Sequence, residues 1–286
     1  MDRAAEGVVS GLGRLTVAEA LARPRYEVIP LDGVEEAVLA HVPTEVTVTV
    51  TTSPTKGLEP TLALAERLAA HGYDVVPHLA ARNVRDSAHL AELSERLRAS
   101  RARDVLVMAG DAKEPAGDFE GAQPLLHALD DLGRPFDEVG ITGYPESHAI
   151  ISDGVAIAAM REKEKYATYI VSQICFAPDV TASWLGSVWQ RGTRLPILIG
   201  LPGPVEGAKL LRVCERIRVG PSISILRADG CAEDGAFDPD VVVRGLEETI
   251  DHDHPNFGGF HIFTFNELAD TERWRLRHLA AKTPAA

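Results

Sequence analysis

Short runs of β-branched and apolar residues alternate along this chain with longer Ala- and Leu-rich stretches of helical period. Tyr26–Ile29 is the first run, and Glu45–Val50 follows with Val and Thr in alternation. Thr61–His71 then places Leu62, Ala65 and Leu68 on one helical face. Asp74–Leu79, Asp104–Met108, Glu138–Thr142, a segment within Tyr166–Phe176, Pro196–Gly200 and Gly259–Thr264 read as further strands. Between and after them, Ser87–Ser100, Pro124–Leu132, Gly154–Lys165, Val180–Arg191, Gly207–Arg216, Asp240–Asp251 and a segment from Asn266 read as helices.

Strands alternating with helices predict a parallel sheet. Eight strand–helix units within roughly 260 residues predict a closed barrel rather than an open doubly wound sheet. The fold class is therefore α/β, a single (β/α)8 TIM barrel. No Pro/Ser-rich linker and no fixed-period repeat divides the chain, so residues 1–286 read as one domain with 1–24 as an N-terminal extension. In such a barrel the chemistry belongs at the C-terminal ends of the strands.

Charge narrows the partners. Lys and Arg number 29 against 42 Asp and Glu, a net charge of −13, which argues against nucleic acid and against an anionic membrane surface. Cys175, Cys214 and Cys231 are odd in number and never in CxxC spacing, so neither a disulfide framework nor a zinc knuckle is expected. No apolar run approaches the ~18 residues of a membrane span, and Met1–Leu15 lacks a basic region followed by an apolar core. A cytoplasmic protein acting on a small molecule is the expectation, with an oligomer left open.

The strand ends carry the candidate chemistry. Period 2 in the first run sends Tyr26 and Val28 outward and Glu27 inward. A buried carboxyl there is expected to have a raised pKa, as a general acid near neutrality needs; a strand-end Glu paired to a Lys or Arg is the other reading. Asp111 after Gly110 suits either a ligand's donors or a turn. His78 follows Pro77 and reads equally as a core histidine. Gln173 lies on an apolar run, where its amide would meet either a ligand or a neighbouring strand. His261 and Thr264 lie at the eighth strand. Several patterns fail: there is no phosphate loop of the GxxxxGK[ST] type, and Gly11-Leu-Gly13 lacks a preceding strand and a third glycine. No GxSxG elbow occurs. The Asp251-His-Asp-His254 and Asp229–Asp240 stretches read as solvated loops, and no metal site is assigned.

Taken in order, the strand-end pieces resemble the methylenetetrahydrofolate reductase family, over about Tyr26 to Asn266. Tyr26-Glu-Val-Ile-Pro30 looks like the family's F-E-F-x-P, Val46-Thr-Val-Thr49 like its V-x-V-T, and Pro77-His-Leu79 like its P-H-L-T. Ala109-Gly-Asp111 stands at its R-G-D, Tyr144-Pro-Glu-Ser-His148 looks like its Y-P-E-x-H, and Ser172-Gln173 with Phe176 like its T-Q-F-F. Phe260-His-Ile-Phe-Thr-Phe-Asn266 looks like its F-H-F-Y-T-L-N. The resemblance implies reduction of 5,10-methylenetetrahydrofolate to 5-methyltetrahydrofolate, a step of one-carbon metabolism and methionine biosynthesis, usually with FAD and NAD(P)H. It implies Glu27 as the acid, with Asp111 favouring the cation formed. Asp111, Gln173 and Phe176 would lie on the folate side, and Thr49, His78, Tyr144 and His148 on the cofactor side.

Departures cluster on the flavin side. The family's Arg is Ala109 here, and the aromatic before Ala122 is Gly121. The basic helix Arg161-Glu-Lys-Glu-Lys165 is one residue short, Glu267 stands for an Arg after Asn266, and the seventh βα region aligns loosely at Gly207 and Leu211. The expectation is a divergent reductase without tightly bound FAD that takes hydride directly from NADH or NADPH. An FAD-dependent reductase and a non-catalytic folate- or pterin-binding barrel are the alternatives. A barrel lyase or aldolase would want a strand-end Lys or a phosphate-gripping glycine loop, for which Gly200-Leu-Pro-Gly203 is a faint counterpart.

Overall fold

The computed structural model describes residues 15–52, 56–146, 153–217, 220–228, 235–250 and 256–282. Its strands are β1 (Arg25–Val28), β2 (Thr47–Val50), β3 (Val75–Ala80), β4 (Asp104–Met108), β5 (Glu138–Gly143), β6 (Tyr169–Ser172) and β7 (Ile197–Pro202), then the short β8 (Val205–Glu206) and β9 (Ala236–Phe237), and last β10 (Phe257–Phe263). β1 to β7 and β10 close a parallel barrel in which β10 pairs with both β7 and β1, while β8 and β9 form a separate antiparallel pair. The expected (β/α)8 TIM barrel is the fold.

The helices are α1 (Val17–Ala22), α2 (Val34–His41), α3 (Glu59–Ala70), α4 (Ser87–Ala99), α5 (Ala122–Asp131), α6 (Asp153–Lys163), α7 (Pro178–Gln190), α8 (Gly207–Ile217), α9 (Gly220–Ala228), α10 (Asp240–Thr249) and α11 (Leu268–Lys282). Sequence patterning passed over three of them. The short α2 crosses from β1 to β2, and α9 follows α8. Within the segment read as an extension, α1 is a docked helix. It is started by a Thr16/Glu19 capping box, and the carbonyls of its Leu21 and Ala22 accept from the buried Arg275 of α11.

Inward-facing side chains fill the barrel in layers. The floor is polar. Arg25, Asp104 and Tyr169 open β1, β4 and β6, and Arg25 Nη1 lies 2.7 Å from Asp104 Oδ2. Tyr169 donates its hydroxyl to Asp104 Oδ1 at 2.8 Å, and the Arg25 guanidinium lies 4.2 Å above the Tyr169 ring centre. Gly140 on β5 makes room for that ring, since a Cβ there would come within 2.4 Å of it. Val76, Leu106, Val171 and Leu198 pack with Tyr169 as an apolar cluster. Leu106 and Val171 also line the cavity at the mouth, so the floor and the apolar layer together close it from below. Arg25 is the cation opposite a nearly buried carboxylate. Replacing it by Met should therefore lower unfolding free energy by about 3–5 kcal/mol, the cost of leaving a buried charge unpaired. Urea unfolding of Arg25→Met checks this, and an unchanged midpoint would remove the floor ion pair from the account.

Candidate active site

The strand ends surround a cavity of about 260 Å³, lined by Glu27, His78, Asp111, Tyr144, Gln173 and His261 among others. Period 2 in β1 does what the sequence predicts. Tyr26 and Val28 point into the helical layer and are fully buried, Tyr26 donating to Glu272 of α11 at 2.8 Å, while Glu27 faces the barrel. His261 of β10 meets it, with Nε2 3.1 Å from Glu27 Oε2. His78 of β3 stands on the other side, its Nδ1 3.9 Å from the same oxygen. The two imidazole ring centres are 6.2 Å apart, with the ring planes inclined by 29°.

The end of β1 is held from β10 by further contacts. Thr264 Oγ1 donates to the Glu27 carbonyl at 2.6 Å, and the Asn266 side chain both accepts from and donates to the Ile29 backbone at 2.8 and 2.9 Å. Neither residue touches the cavity. They fix the backbone from which Glu27 projects.

Asp111 reaches the rim because Gly110 turns the chain in the left-handed region, φ +86°, with its α-carbon tight against Ala80; a Cβ there would meet Ala80 Cβ at 2.9 Å. The loop that follows is clamped by Arg82, which donates to the carbonyls of Ala112, Lys113 and Glu120. Gln173, just past β6, is half-buried, and its Oε1 accepts from the Ile174 N–H at 2.9 Å. The amide nitrogen is thus the group it has left to offer. Tyr144 follows β5 with its hydroxyl 3.1 Å from Thr142 Oγ1.

Glu27, Asp111, Gln173, His78 and Tyr144 therefore share one mouth. Two other candidates do not join them. Phe176 is not a lining residue; it is buried against Phe237 of β9, ring centres 5.2 Å apart, because the chain has left the strand before reaching it. Thr49 is beside Glu27 in the β1–β2 register but fully buried, its hydroxyl 3.5 Å from the Tyr26 carbonyl; Thr51 and Thr52 are the threonines that line the cavity. His148 lies outside the described residues, as do Asp251–His254 and Cys231. Gly200 to Gly203 is no phosphate loop, since β7 runs through Pro202 and the Gly203 N–H is bonded to the Phe263 carbonyl. His261 was read only as a strand-end residue, yet it is the group in hydrogen-bond contact with Glu27. Its signal was the alternation of Gly259, His261 and Phe263 on one face of the last strand.

The electrostatics reverse one expectation. Burial does push the Glu27 carboxyl up, but the hydrogen bond with His261 and the adjacent His78 and His261 rings outweigh it and hold the group below its ordinary value. Glu27 is ionised near neutrality in the free protein. Burial drives His78 down to about 4, opposed by Glu27 and reinforced by His261 and Arg25. Both nitrogens of His78 and the Nδ1 of His261 are buried without a hydrogen-bond partner. Such orphaned atoms, facing a carboxylate, are suited to a ligand with polar groups of its own.

The His78 shift carries a sign. A neutral buried imidazole that protonates at about 4, against an ordinary 6.5, contributes stability that is complete above pH 6.5 and is lost as the pH falls towards 4. The loss attributable to this group is up to about 3 kcal/mol. In chelator-treated protein, His78→Gln should flatten the stability profile between pH 6.5 and 4. An equally steep profile in the variant would mean that other groups set it.

A family model described as methylenetetrahydrofolate reductase matches residues 32–229. The match includes His78, Asp111, Tyr144 and Gln173 and stops short of Glu27 and His261, which the barrel closure adds to the same cavity. Among solved structures, the chain is similar to an oxaloacetate acetylhydrolase in complex with the inhibitor 3,3-difluorooxalacetate, at 9% identity over 95% of this chain and 86% of that one, TM-score 0.52. It is similar too to a 2,3-dimethylmalate lyase of the PEP mutase/isocitrate lyase superfamily, at 12% identity over 94% and 84%, TM-score 0.50. At these identities the likeness is one of barrel fold alone.

Proposed function

The chain belongs to the methylenetetrahydrofolate reductase family, and from that premise we propose that it reduces 5,10-methylenetetrahydrofolate to 5-methyltetrahydrofolate with NADH or NADPH. The family supplies the coarse activity, a folate-related reduction on a small molecule. The observation that carries the finer reading is the convergence of Glu27, Asp111 and Gln173 on one cavity. A pterin presents adjacent donors and acceptors. Asp111 accepts from its amino and ring N–H groups, and the Gln173 amide nitrogen donates to a ring acceptor.

Glu27 transfers a proton to the bridging nitrogen N10, the imidazolidine ring opens, and a cationic iminium remains at N5. Asp111 at the rim favours that cation electrostatically. Hydride delivered to the methylene carbon completes the methyl group, so one proton and one hydride are consumed per turnover. Glu27 is ionised in the free protein, so the folate ring has to shift it. Covering the site removes the remaining water around the carboxylate and raises its proton affinity. The nicotinamide supplies the hydride.

The residues at the flavin side fit a flavin poorly. Ala109, just past β4, supplies no cation. Gly121 carries no ring, and a Cβ there would meet nothing within 4 Å. Arg82, the arginine built into this loop, is committed to three backbone carbonyls. These features support direct hydride transfer from NAD(P)H. The second reading, an FAD-dependent reductase, is favoured by His78 and Tyr144, which still line the cavity.

Two measurements test the proposal. Glu27→Gln should retain the fold and folate binding and lose ~10²-fold or more in turnover, the usual scale for a general acid; near wild-type rates would sink the assignment. Protein purified without added flavin should show no flavin absorbance and should oxidise NADH or NADPH in the presence of methylenetetrahydrofolate. A stoichiometric yellow cofactor, or activity that appears only on adding FAD, decides for the second reading.

A further inference from the structure

Two imidazoles and one carboxylate that are 27, 78 and 261 in the sequence converge on one face of the cavity. Their nearest nitrogen and oxygen atoms all lie within 4.8 Å of one another. We propose that Glu27, His78 and His261 form a divalent transition-metal site, able to take Zn2+, whose occupancy is mutually exclusive with turnover. The inhibitory half of this rests on the reading of Glu27 as the acid; the binding half does not.

The donor set is chemically apt. Two histidines and one carboxylate with a side open to solvent or ligand is the pattern of zinc sites that keep an exchangeable fourth position. A tetrahedral ion with bonds near 2.0–2.1 Å holds its ligand atoms about 3.3 Å apart. The Glu27–His261 pair is already at 3.1 Å and the Glu27–His78 pair at 3.9 Å, so the widest gap must close by no more than about 1.5 Å.

Glu27 and His78 also stand in the forms a metal takes. Metal binds neutral imidazole and ionised carboxylate. His78 has no hydrogen bond on either nitrogen, so ligation breaks none there, and burial already keeps the ring neutral. At His261 the proton that Nε2 shares with Glu27 must move to Nδ1 or leave to solvent. Nδ1 has no competing partner. With Glu27 Oε2 on the ion, the carboxylate's proton affinity falls, it can neither take up nor deliver a proton near neutrality, and the acid step stops.

The same cluster is the strongest of its kind among the described residues. The buried Glu272–Arg275 pair and the floor pair Arg25–Asp104 each contain their own cation. Cys175 and Cys214 are buried, with thiols held protonated up to about 12 by burial. None of these offers a vacant ligand set.

The test uses the full chain after chelator treatment and dialysis. Zn2+ titration by calorimetry, and Co2+ titration followed by its visible ligand-field bands, should each show one saturable site. His78→Gln and His261→Gln should each weaken that site at least about 100-fold, since loss of a mere supporting contact to a ligand already costs 10–100-fold. A double His252→Ala/His254→Ala variant should bind as wild type. Absence of a saturable site in the wild type overturns the proposal. So does binding that survives both glutamine variants, or that disappears in the 252/254 variant. Zn2+ at saturation should abolish folate-dependent NAD(P)H oxidation, reversibly on adding chelator; full activity in the Zn2+-loaded protein removes the inhibitory half. If the metal-free protein has no such activity at all, the proposed function fails while the titrations still decide the site.

Discussion

Closing eight parallel strands on themselves forces the first strand to pair with the last, and this pairing is what creates the site. β1 and β10 align Arg25 with His261 and Glu27 with Phe263. That register sets two residues 234 positions apart at hydrogen-bond distance. The Thr264 and Asn266 contacts to the end of β1 make the register tight where it matters, since a one-residue slip would turn Glu27 out of the barrel and Tyr26 into it. Without barrel closure, His261 is only a polar residue in an apolar strand.

The barrel interior carries charge at two levels, and they do different things. At the floor, the Asp104 carboxylate has Arg25 on one oxygen and the Tyr169 hydroxyl on the other, and burial still pushes its pKa up to about 6 against both partners. At the mouth, the two histidines hold the Glu27 carboxyl below its ordinary value, but nitrogens of their own are left unpartnered. Glu27 has one hydrogen bond, from a histidine whose other nitrogen is unpartnered, and His78 has none. Polar groups left unsatisfied in a buried place cost free energy. The apolar layer between floor and mouth keeps the two apart, which allows the mouth to remain reactive without loosening the floor.

Much of this was legible before any coordinates. The barrel followed from eight alternations of strand and helix, and the inward Glu27 followed from period 2 alone. The errors have physical reasons. Period 2 holds only inside a strand: Phe176 lies four residues past the end of β6, where alternation no longer says which way a side chain points. Thr49 lies inside β2, whereas the lining threonines, Thr51 and Thr52, come just past the strand's end. The direction of the Glu27 shift went wrong because burial was weighed without the two histidines, which come from strands far away in sequence. The short helices α1 and α2 were missed because 6 and 8 residues hold too few turns to show a period.

The loop after β4 is held by its own backbone. A phosphate-gripping loop needs free backbone N–H groups and a cation aimed outward. Here the Arg82 and Arg85 carbonyls accept from the Ala116 and Asp118 N–H groups, and Gly117 sits so close to Arg85 that a Cβ would fall 1.9 Å from its carbonyl oxygen. The Arg82 guanidinium faces inward to the loop's own carbonyls. The loop is therefore closed on itself, held from the β3 side rather than by an anion. Such a loop presents Asp111 from a fixed backbone, which favours recognition of a cationic or donor-rich ring. It leaves little with which to hold a diphosphate on that side of the barrel. Ala109, standing where an outward cation would be needed, is consistent with a loop whose strength comes from internal hydrogen bonds rather than from a bound phosphate.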